Sequence, residues 1–495
     1  MTLNDVSDIE TVRKAALLLE AENQKLAREV AKLRRELHEL KGGDPEQLAL
    51  HLGALEDQLA ALRRKIFGQT SEKRPKAEAT EPKAAPEPQR GHGPKAQPKL
   101  GIVERIHVAD EADKKCVACG GDLDTWDGQF EESEEVDVIE RRFVITKHKR
   151  QKYRCRCGEC VETAPGPTKL FPGARYSPNV AVTIAIGKYA DHLPLERQVR
   201  MMARDGLDID SQTLWDQINA LARILEPAHA ALHQHVLAQP VIGADETTWR
   251  LMGAEGKKAG GDSKKWQTWA VIAPDAVSYR ILDSRSSAAA GEVLGEFSGT
   301  LICDGYGAYE SLRKQHGRFR IAHCWAHVRR KFVEVEEQHP ASCGPVLDMI
   351  GKLYELERAT KDASPEERLR VRREAATPLV KEIHRWALST ATLPQSGLGK
   401  AISYMGSMWD GLQVFLDDPN VALDNNATER ALRGVVLGRK NHYGSRSRRG
   451  TEVAALFYSL IESAKLVGIG PHTYLVTATN AALRGAAIPL PHHLA

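Results

Sequence analysis

Three acidic residues, Asp245, Asp304 and Glu429, are the strongest candidates for chemistry in this chain. Asp245 and Asp304 each lie at the end of a short apolar run rich in β-branched residues, which is typical of a buried β-strand. Glu429 follows an Asp-Asn-Asn helix start signal at 424–426 and is expected in the first turn of a helix. Two Mg²⁺ ions held by such carboxylates, roughly 4 Å apart, stabilise the attacking and leaving oxygens of a phosphoryl transfer.

The elements that must position these carboxylates begin with four strand-like segments. They lie at 240–250, 265–273, 276–282 and 299–304, with a helix at 288–297 between the third and the fourth. Three adjacent strands, a helix and a fourth strand is the order of an RNase H-like core, in which the first and fourth strands are neighbours. We therefore expect Asp245 and Asp304 to meet.

Helical periodicity fills the long interval between Asp304 and Glu429, at 346–356, 366–374, 379–388 and 397–416. This pattern predicts an all-helical insertion inside the core.

A basic run begins directly after Glu429, and residues 430–449 contain no acidic residue. Its cationic side chains are Arg430, Arg433, Arg439, Lys440, Arg446, Arg448 and Arg449. Beside a metal site, such a run suits a DNA phosphate track, although a solvated basic loop is the alternative. The formal net charge is only +3, so the distribution of charge, not its total, indicates DNA.

A compact group of His323, Cys324 and His327 lies at a predicted helix start. The four-residue spacing of the histidines could bind a metal. Because the sequence offers no third ligand, a structural or DNA-contacting role is favoured. Arg329, Arg330 and Lys331 follow and are further candidates for phosphate contacts.

Five of the eight cysteines lie between 116 and 160, which favours metal binding over disulfides. We favour one structural Zn²⁺ ion in a four-thiolate ribbon, because two Cys-x-x-Cys pairs flank a strand-like stretch. The favoured ligands are Cys116, Cys119, Cys157 and Cys160. Cys155 is an alternative ligand.

The N-terminal residues carry two leucine-rich seams, at 12–40 and 48–66, separated by a Gly-Gly-Asp-Pro break. Self-association into a dimer or higher oligomer is favoured; a hairpin of the two seams or a helix packed on its own domain are the alternatives. Residues 72–99 contain six prolines and no aromatic or branched aliphatic residue, which predicts a disordered linker.

Three helices are predicted between 177 and 226, and a glycine turn separates the second from the third. This is the outline of a helix-turn-helix, while a helical subdomain that braces the core is the equal alternative. No run of about 18 apolar residues and no apolar signal segment occurs, so a cytoplasmic protein without a membrane partner is expected.

These segments together predict a multidomain α+β protein. The predicted order is coiled-coil or leucine-zipper-like helices (1–70), disordered linker (71–100), zinc ribbon (101–171), helix-turn-helix-like region (172–236), first part of the RNase H-like core (237–320), helical insertion (321–419), second part of the core with Glu429 and the basic run (420–455) and a C-terminal helical tail (456–495).

The whole chain resembles IS66-type transposases, which are DDE enzymes with an RNase H-like core. The resemblance is carried by Ala244-Asp245-Glu246-Thr247, Cys303-Asp304-Gly305-Tyr306, His323-Cys324-Trp325-Ala326-His327, and the segments 62–68, 71–73, 328–330, 424–433 and 456–464. The matching motifs run from end to end and in order, so the resemblance is specific.

The resemblance implies a transposase that binds the ends of an insertion sequence and a target DNA on the bacterial nucleoid. It implies two Mg²⁺ or Mn²⁺ ions held by Asp245, Asp304 and Glu429, and accessory proteins encoded by the same element. One alternative is a catalytically inactive, zinc-containing DNA-binding or regulatory protein derived from a transposase. Another is an RNase H-type or Holliday-junction nuclease without strand transfer.

Overall fold

The structure is a computed structural model that describes residues 143–154, 161–252 and 265–495, together with Glu104, Ile106 and His107. The predicted coiled coil, the linker and all five candidate zinc cysteines, Cys116, Cys119, Cys155, Cys157 and Cys160, lie outside the described residues.

A mixed five-stranded sheet is the centre of the described part. After a small antiparallel pair, β1 (Lys152–Arg154) and β2 (Val161–Thr163), the sheet strands are β3 (Val241–Arg250), β4 (Lys265–Ile272), β5 (Val277–Leu282), β6 (Thr300–Cys303) and β7 (Arg320–His323). Their order across the sheet is β5-β4-β3-β6-β7. The pairs β3–β4 and β4–β5 are antiparallel, whereas β3–β6 and β6–β7 are parallel. The predicted neighbourhood of the first and fourth strands is thus present.

The helices before and within the sheet are α1 (Pro178–Tyr189), α2 (Leu195–Arg204), α3 (Ser211–Leu237), α4 (Ser287–Leu294) and α5 (Gly307–His316). Those after β7 are α6 (Trp325–Val333), α7 (Pro340–Ala359), α8 (Pro365–Val371), a π-helical turn (Arg372–Ala376), α9 (Thr377–Ser389), α10 (Gly397–Ser407), α11 (Trp409–Leu412) and a 3₁₀ turn (Val414–Leu416). The last elements are α12 (Asn426–His442), α13 (Arg448–Leu466), α14 (Pro471–Leu483) and a 3₁₀ turn (Pro491–His493).

The sheet is covered on both faces, which explains the nearly continuous apolar character of β4. Every residue of β4 after Lys265 is buried. One hydrophobic core joins the sheet to α1, α3, α13 and α14. Helix α3 continues to Leu237 and buries its apolar face in this core, while the helix-turn-helix-like role of this region stays a prediction.

Helix α13 lies against β5 and bonds to its backbone through two serines. The Val277 amide donates to Ser463 Oγ at 2.9 Å, and the Ser463 hydroxyl donates to the Val277 carbonyl at 2.9 Å. The Tyr279 amide donates to Ser459 Oγ at 2.8 Å. Since α13 begins at Arg448 and is buried against the sheet, the predicted boundary of a C-terminal tail at 456 falls inside a core helix.

A second hydrophobic core joins α6, α7, α9, α10 and α11 of the helical insertion to Val241, Ile302 and Ala322 of the sheet. Arg372 lies at its centre, with a side chain only 2% exposed. Its guanidinium pairs with Glu357 at 2.6 Å and donates to the carbonyls of Phe415, Asp418 and Val421. The predicted boundary between 320 and 321 divides β7, so the insertion starts only at Trp325.

Among the described residues, no single helix is long and apolar enough to cross a membrane. The pair of α13 and α14 meets that criterion only when the two are taken together, across a bend of 119°.

Candidate active site

The three predicted carboxylates converge where β6 ends and α12 begins. Asp245 lies within β3, Asp304 directly follows the last residue of β6, and Glu429 is in the first turn of α12. Burial raises the pKa of Asp245 to about 7, and the charges of Glu246, Asp304 and Glu429 add to this rise. The fold therefore brings together the two aspartates and the glutamate that the sequence indicated.

A close contact between α12 and β3 positions Glu429. The Asn425 side chain donates from Nδ2 to the Ala244 carbonyl at 2.9 Å, and Thr428 Oγ1 donates to Asn425 Oδ1 at 2.6 Å. Gly243 makes this approach possible, because a Cβ atom there would lie 2.3 Å from Thr428 Oγ1. Because Gly243 has no side chain, α12 can pack this closely against β3.

Two hydrogen bonds to Asp304 and a left-handed glycine fix the loop after β6. The Tyr306 amide donates to Asp304 Oδ1 at 2.9 Å. Gly305 has a left-handed φ of +87°, which favours glycine. The Tyr404 hydroxyl of α10 donates to the Asp304 carbonyl at 3.0 Å, so the helical insertion also holds this loop.

His327 is a fourth side chain at the site, and its contact with Glu429 was not predicted. Its Nε2 lies 3.5 Å from Glu429 Oε1, while its Nδ1 is buried and has no hydrogen-bond partner among the described residues. His323 has a different neighbour, because its Nδ1 donates to the Met408 carbonyl at 3.1 Å. Cys324 accepts from the Asn425 amide through Sγ at 3.2 Å.

Glu246, the neighbour of Asp245, has other partners, as strand alternation requires. Its side chain is 1% exposed, forms an ion pair with Arg285 and accepts from the Tyr309 hydroxyl at 3.0 Å. Burial raises the pKa of Glu246, and the Arg285 contact opposes this rise.

Comparison with known proteins identifies the family. The sequence model described as "Transposase IS66 family" matches residues 173–453. The chain belongs to the IS66 transposase family. The description "zinc-finger binding domain of transposase IS66" matches residues 113–158, which supports a bound zinc ion. That match contains Cys116, Cys119, Cys155 and Cys157 and ends before Cys160, while the choice of ligands stays a prediction.

Relatives of this IS66 family member occur in Sinorhizobium fredii. "Uncharacterized protein y4jD" is 30% identical over 97% of this chain and 94% of its own length. "Uncharacterized protein y4hP" is 29% identical over 90% of this chain and 83% of its own. The solved structure titled "Mos1 transposase paired-end complex with left transposon end" covers 50% of this chain and 80% of its own, at 9% identity. The TM-score between the two structures is 0.12.

In this IS66 family member, a groove of about 390 Å³ runs from the carboxylates along α12. Its walls are formed by Asp245, Glu246, Thr247, Glu429, Leu432, Arg433, Val436 and Leu437. Arg433 and Leu437 are exposed, so cationic and apolar side chains both face a ligand that enters this groove.

The predicted DNA-binding residues of this IS66 family member fall into two groups. The exposed ones are Arg430, Arg433, Lys440, Arg446 and Arg448. The others are partly buried: Arg329, Arg330, Lys331, Arg439 and Arg449. Within the second group, Arg439 donates to Thr248 Oγ1 at 2.8 Å, and Arg449 pairs with Glu226 at 2.7 Å and Glu452 at 3.1 Å. Intramolecular partners thus hold these two guanidinium groups.

Proposed function

We propose that this IS66 family member is an active transposase that binds the ends of its insertion sequence, cleaves DNA strands and joins them to a target. We infer a two-metal DDE mechanism in which Asp245, Asp304 and Glu429 hold Mg²⁺ or Mn²⁺. The observation that carries the proposal is the convergence of these carboxylates at one end of the sheet, where their charges help to raise the pKa of Asp245. Family membership supports the same chemistry.

The donor set fits hard divalent cations, because three carboxylates supply only oxygen ligands. Burial opposes ionisation of Asp245, the neighbouring carboxylate charges add to this, and a cation between the carboxylates would favour the ionised form. When bound, such ions lower the pKa of an attacking water or 3′-hydroxyl and neutralise the leaving oxygen.

The surrounding residues orient the carboxylates and the DNA strand. The contact of Asn425 with Ala244 sets the position of Glu429, and His327 limits its rotation through the 3.5 Å contact. Preorganised carboxylates lower the barrier because they need not rearrange during the reaction. Arg433 lies in the groove beside Glu429, where its guanidinium can contact a phosphate next to the one that reacts.

The exposed cations form a phosphate track that we name the α12 track: Arg430, Arg433, Lys440, Arg446 and Arg448. Phosphate contacts of this kind position DNA without reading its sequence. We assign recognition of the element ends to the zinc ribbon. We assign self-association to the N-terminal seams, and accessory proteins of the same element are further proposed partners.

Strand nicking and joining on DNA that carries the element's own ends tests the proposal. The wild type, Asp304→Asn and the control Asp362→Asn are compared with Mg²⁺ or Mn²⁺ and with the accessory proteins added. Asp362 is exposed in the loop between α7 and α8, so its variant should act like the wild type. We expect metal-dependent 3′-hydroxyl ends and joined products that fall by at least about 10³-fold in Asp304→Asn.

Two other outcomes favour different functions. Equal end binding in all three proteins, without chemistry under any metal, would favour the inactive DNA-binding regulator. Cleavage without joining would favour the nuclease.

A further inference from the structure

A second group of metal-ligating side chains contains none of the three carboxylates. His235 is in the last turn of α3, Asp275 is in the turn between β4 and β5, and His492 is in the final 3₁₀ turn. One ligand atom from each of these residues lies within 4.8 Å of the other two. Because Ile272, the last residue of β4, pairs with Gly243, the group is beyond the end of the sheet where β3 starts.

The contacts within the group are close and directed. His235 Nε2 lies 2.9 Å and 3.1 Å from the two carboxylate oxygens of Asp275. The imidazole rings of His235 and His492 are stacked, with centroids 3.8 Å apart and planes inclined by 20°. Two imidazolium ions would repel each other in this arrangement, so at least one ring must be neutral, as a metal ligand is.

His492 has a polar atom that nothing in the described structure satisfies. Its Nδ1 is buried without a hydrogen-bond partner, although the neighbouring Nδ1 of His493 accepts from the Leu490 amide at 3.2 Å. Buried polar atoms without partners are costly and uncommon in folded proteins.

The donor set selects a class of ion. Two imidazole nitrogens and one carboxylate are the ligands of borderline transition metals such as Zn²⁺, whereas Mg²⁺ takes oxygen ligands. The group therefore differs in chemistry from the three carboxylates of the proposed active site. It differs from the cysteine ribbon as well, because it contains no thiolate.

We propose that His235, Asp275 and His492 form a Zn²⁺ site that ties the C-terminal segment (residues 486–495) to α3 and to the β4–β5 turn. Apart from this site, the described contacts of the segment include the Tyr474 hydroxyl, which donates to the Pro489 carbonyl at 3.2 Å, and the buried side chain of Leu490. A tie at His492 holds this segment against a helix and a turn that are distant in sequence.

Zinc content and hydrogen exchange of the full-length chain test this site. The proteins are the wild type, His235→Gln, His492→Gln and the control His472→Gln, which alters an exposed histidine of α14. After equilibration with Zn²⁺ and removal of excess, we expect His235→Gln and His492→Gln to retain one zinc ion fewer than the wild type. Zn²⁺ should slow amide exchange in residues 486–495 at least tenfold in the wild type and the control, but not in His235→Gln.

Cobalt substitution separates this site from the ribbon. Cysteine thiolates give intense near-ultraviolet charge-transfer absorption with Co²⁺, whereas nitrogen and oxygen ligands do not. That absorption should be equal in all four proteins, which also shows that the ribbon is intact. Unchanged zinc content in His235→Gln and His492→Gln, or equal protection of the C-terminal segment by Zn²⁺ in His235→Gln and the wild type, would overturn the proposal.

Discussion

Replacement of Gly243 by alanine should separate strand β3 from the helix that carries Glu429. The new Cβ would lie 2.3 Å from Thr428 Oγ1, 2.9 Å from Asn425 Oδ1 and 2.9 Å from Ile272 Cγ2. An ordinary contact of about 3.4 Å requires the Thr428 hydroxyl to withdraw by about 1 Å. Since Thr428 directly precedes Glu429, the carboxylate must move with it.

This displacement predicts two magnitudes. Overpacking of a closely packed contact typically costs about 1–3 kcal/mol in the free energy of unfolding. A catalytic group misplaced by about 1 Å can lower the rate by about 10²-fold. We therefore expect Gly243→Ala to fold with reduced stability and to cleave DNA about 10²-fold more slowly than the wild type.

Urea denaturation and single-turnover cleavage of end DNA measure the two effects. Gly351→Ala is the matched control, because a Cβ at this position in α7 meets no atom within 4 Å and alanine favours a helix. The double variant Gly243→Ala/Thr428→Ala removes the hydroxyl that the new Cβ meets first, so it should recover at least tenfold in rate.

Cleavage by Gly243→Ala within twofold of the wild type would refute the inference that this contact sets the position of Glu429. A double variant no faster than Gly243→Ala would show that Thr428 is not the group displaced.

Further expectations concern Asp245, Arg372 and the α12 track. Without Mg²⁺, Asp245→Asn should be more stable than the wild type above about pH 7 and equal to it below about pH 4; thermal melts measure this difference. Arg372→Met should cost about 3–5 kcal/mol in urea denaturation, since Glu357 and three carbonyls lose their donor. Arg433→Ala should reduce the slope of log affinity for DNA against log salt by about 1 in titrations, whereas Arg449→Ala should leave it unchanged.

The sign of the pH effect follows from the raised pKa of Asp245. The carboxyl favours the folded state while it is protonated, and this stability is lost as the pH rises from the unfolded pKa, near 4, through about 7. Asparagine does not ionise and so avoids the loss. Buffers without chelator keep zinc in the ribbon during these melts. Identical stability profiles of Asp245→Asn and the wild type would contradict the raised pKa.

Two controls concern Arg372 and Arg433. Glu357→Gln, which keeps the shape of the partner of Arg372, should cost less than Arg372→Met, and an equal loss would point to general unfolding of the insertion. Equal slopes for Arg433→Ala and the wild type would remove Arg433 from the α12 track.

Strands β3 to β6 were predictable because each contains an apolar, β-branched run that is typical of a buried strand. The observed β3, β4, β5 and β6 lie within one residue at each end of the predicted segments. Strand β7 was missed because Arg-Ile-Ala-His offers only two apolar residues and no alternation of useful length. Only the pairing of β7 with β6 identifies it as a strand.

The same strand explains why the predicted placement of His323 at a helix start differs from the structure. A four-residue spacing places two side chains on one face only if both belong to a single helix. His323 is the last residue of β7 and α6 begins at Trp325, so the two histidines have separate surroundings. The approach of His327 to Glu429 depends on long-range packing that no local pattern encodes.

Strand β5 lies at the edge of the sheet, where unpaired backbone groups usually invite another strand to pair. The hydroxyls of Ser459 and Ser463 occupy the amides of Tyr279 and Val277 that would otherwise be available to a second chain. These contacts leave the two amides unavailable for pairing with a strand of another chain along this edge. Helix α13 therefore covers the exposed edge of β5 in addition to packing in the hydrophobic core.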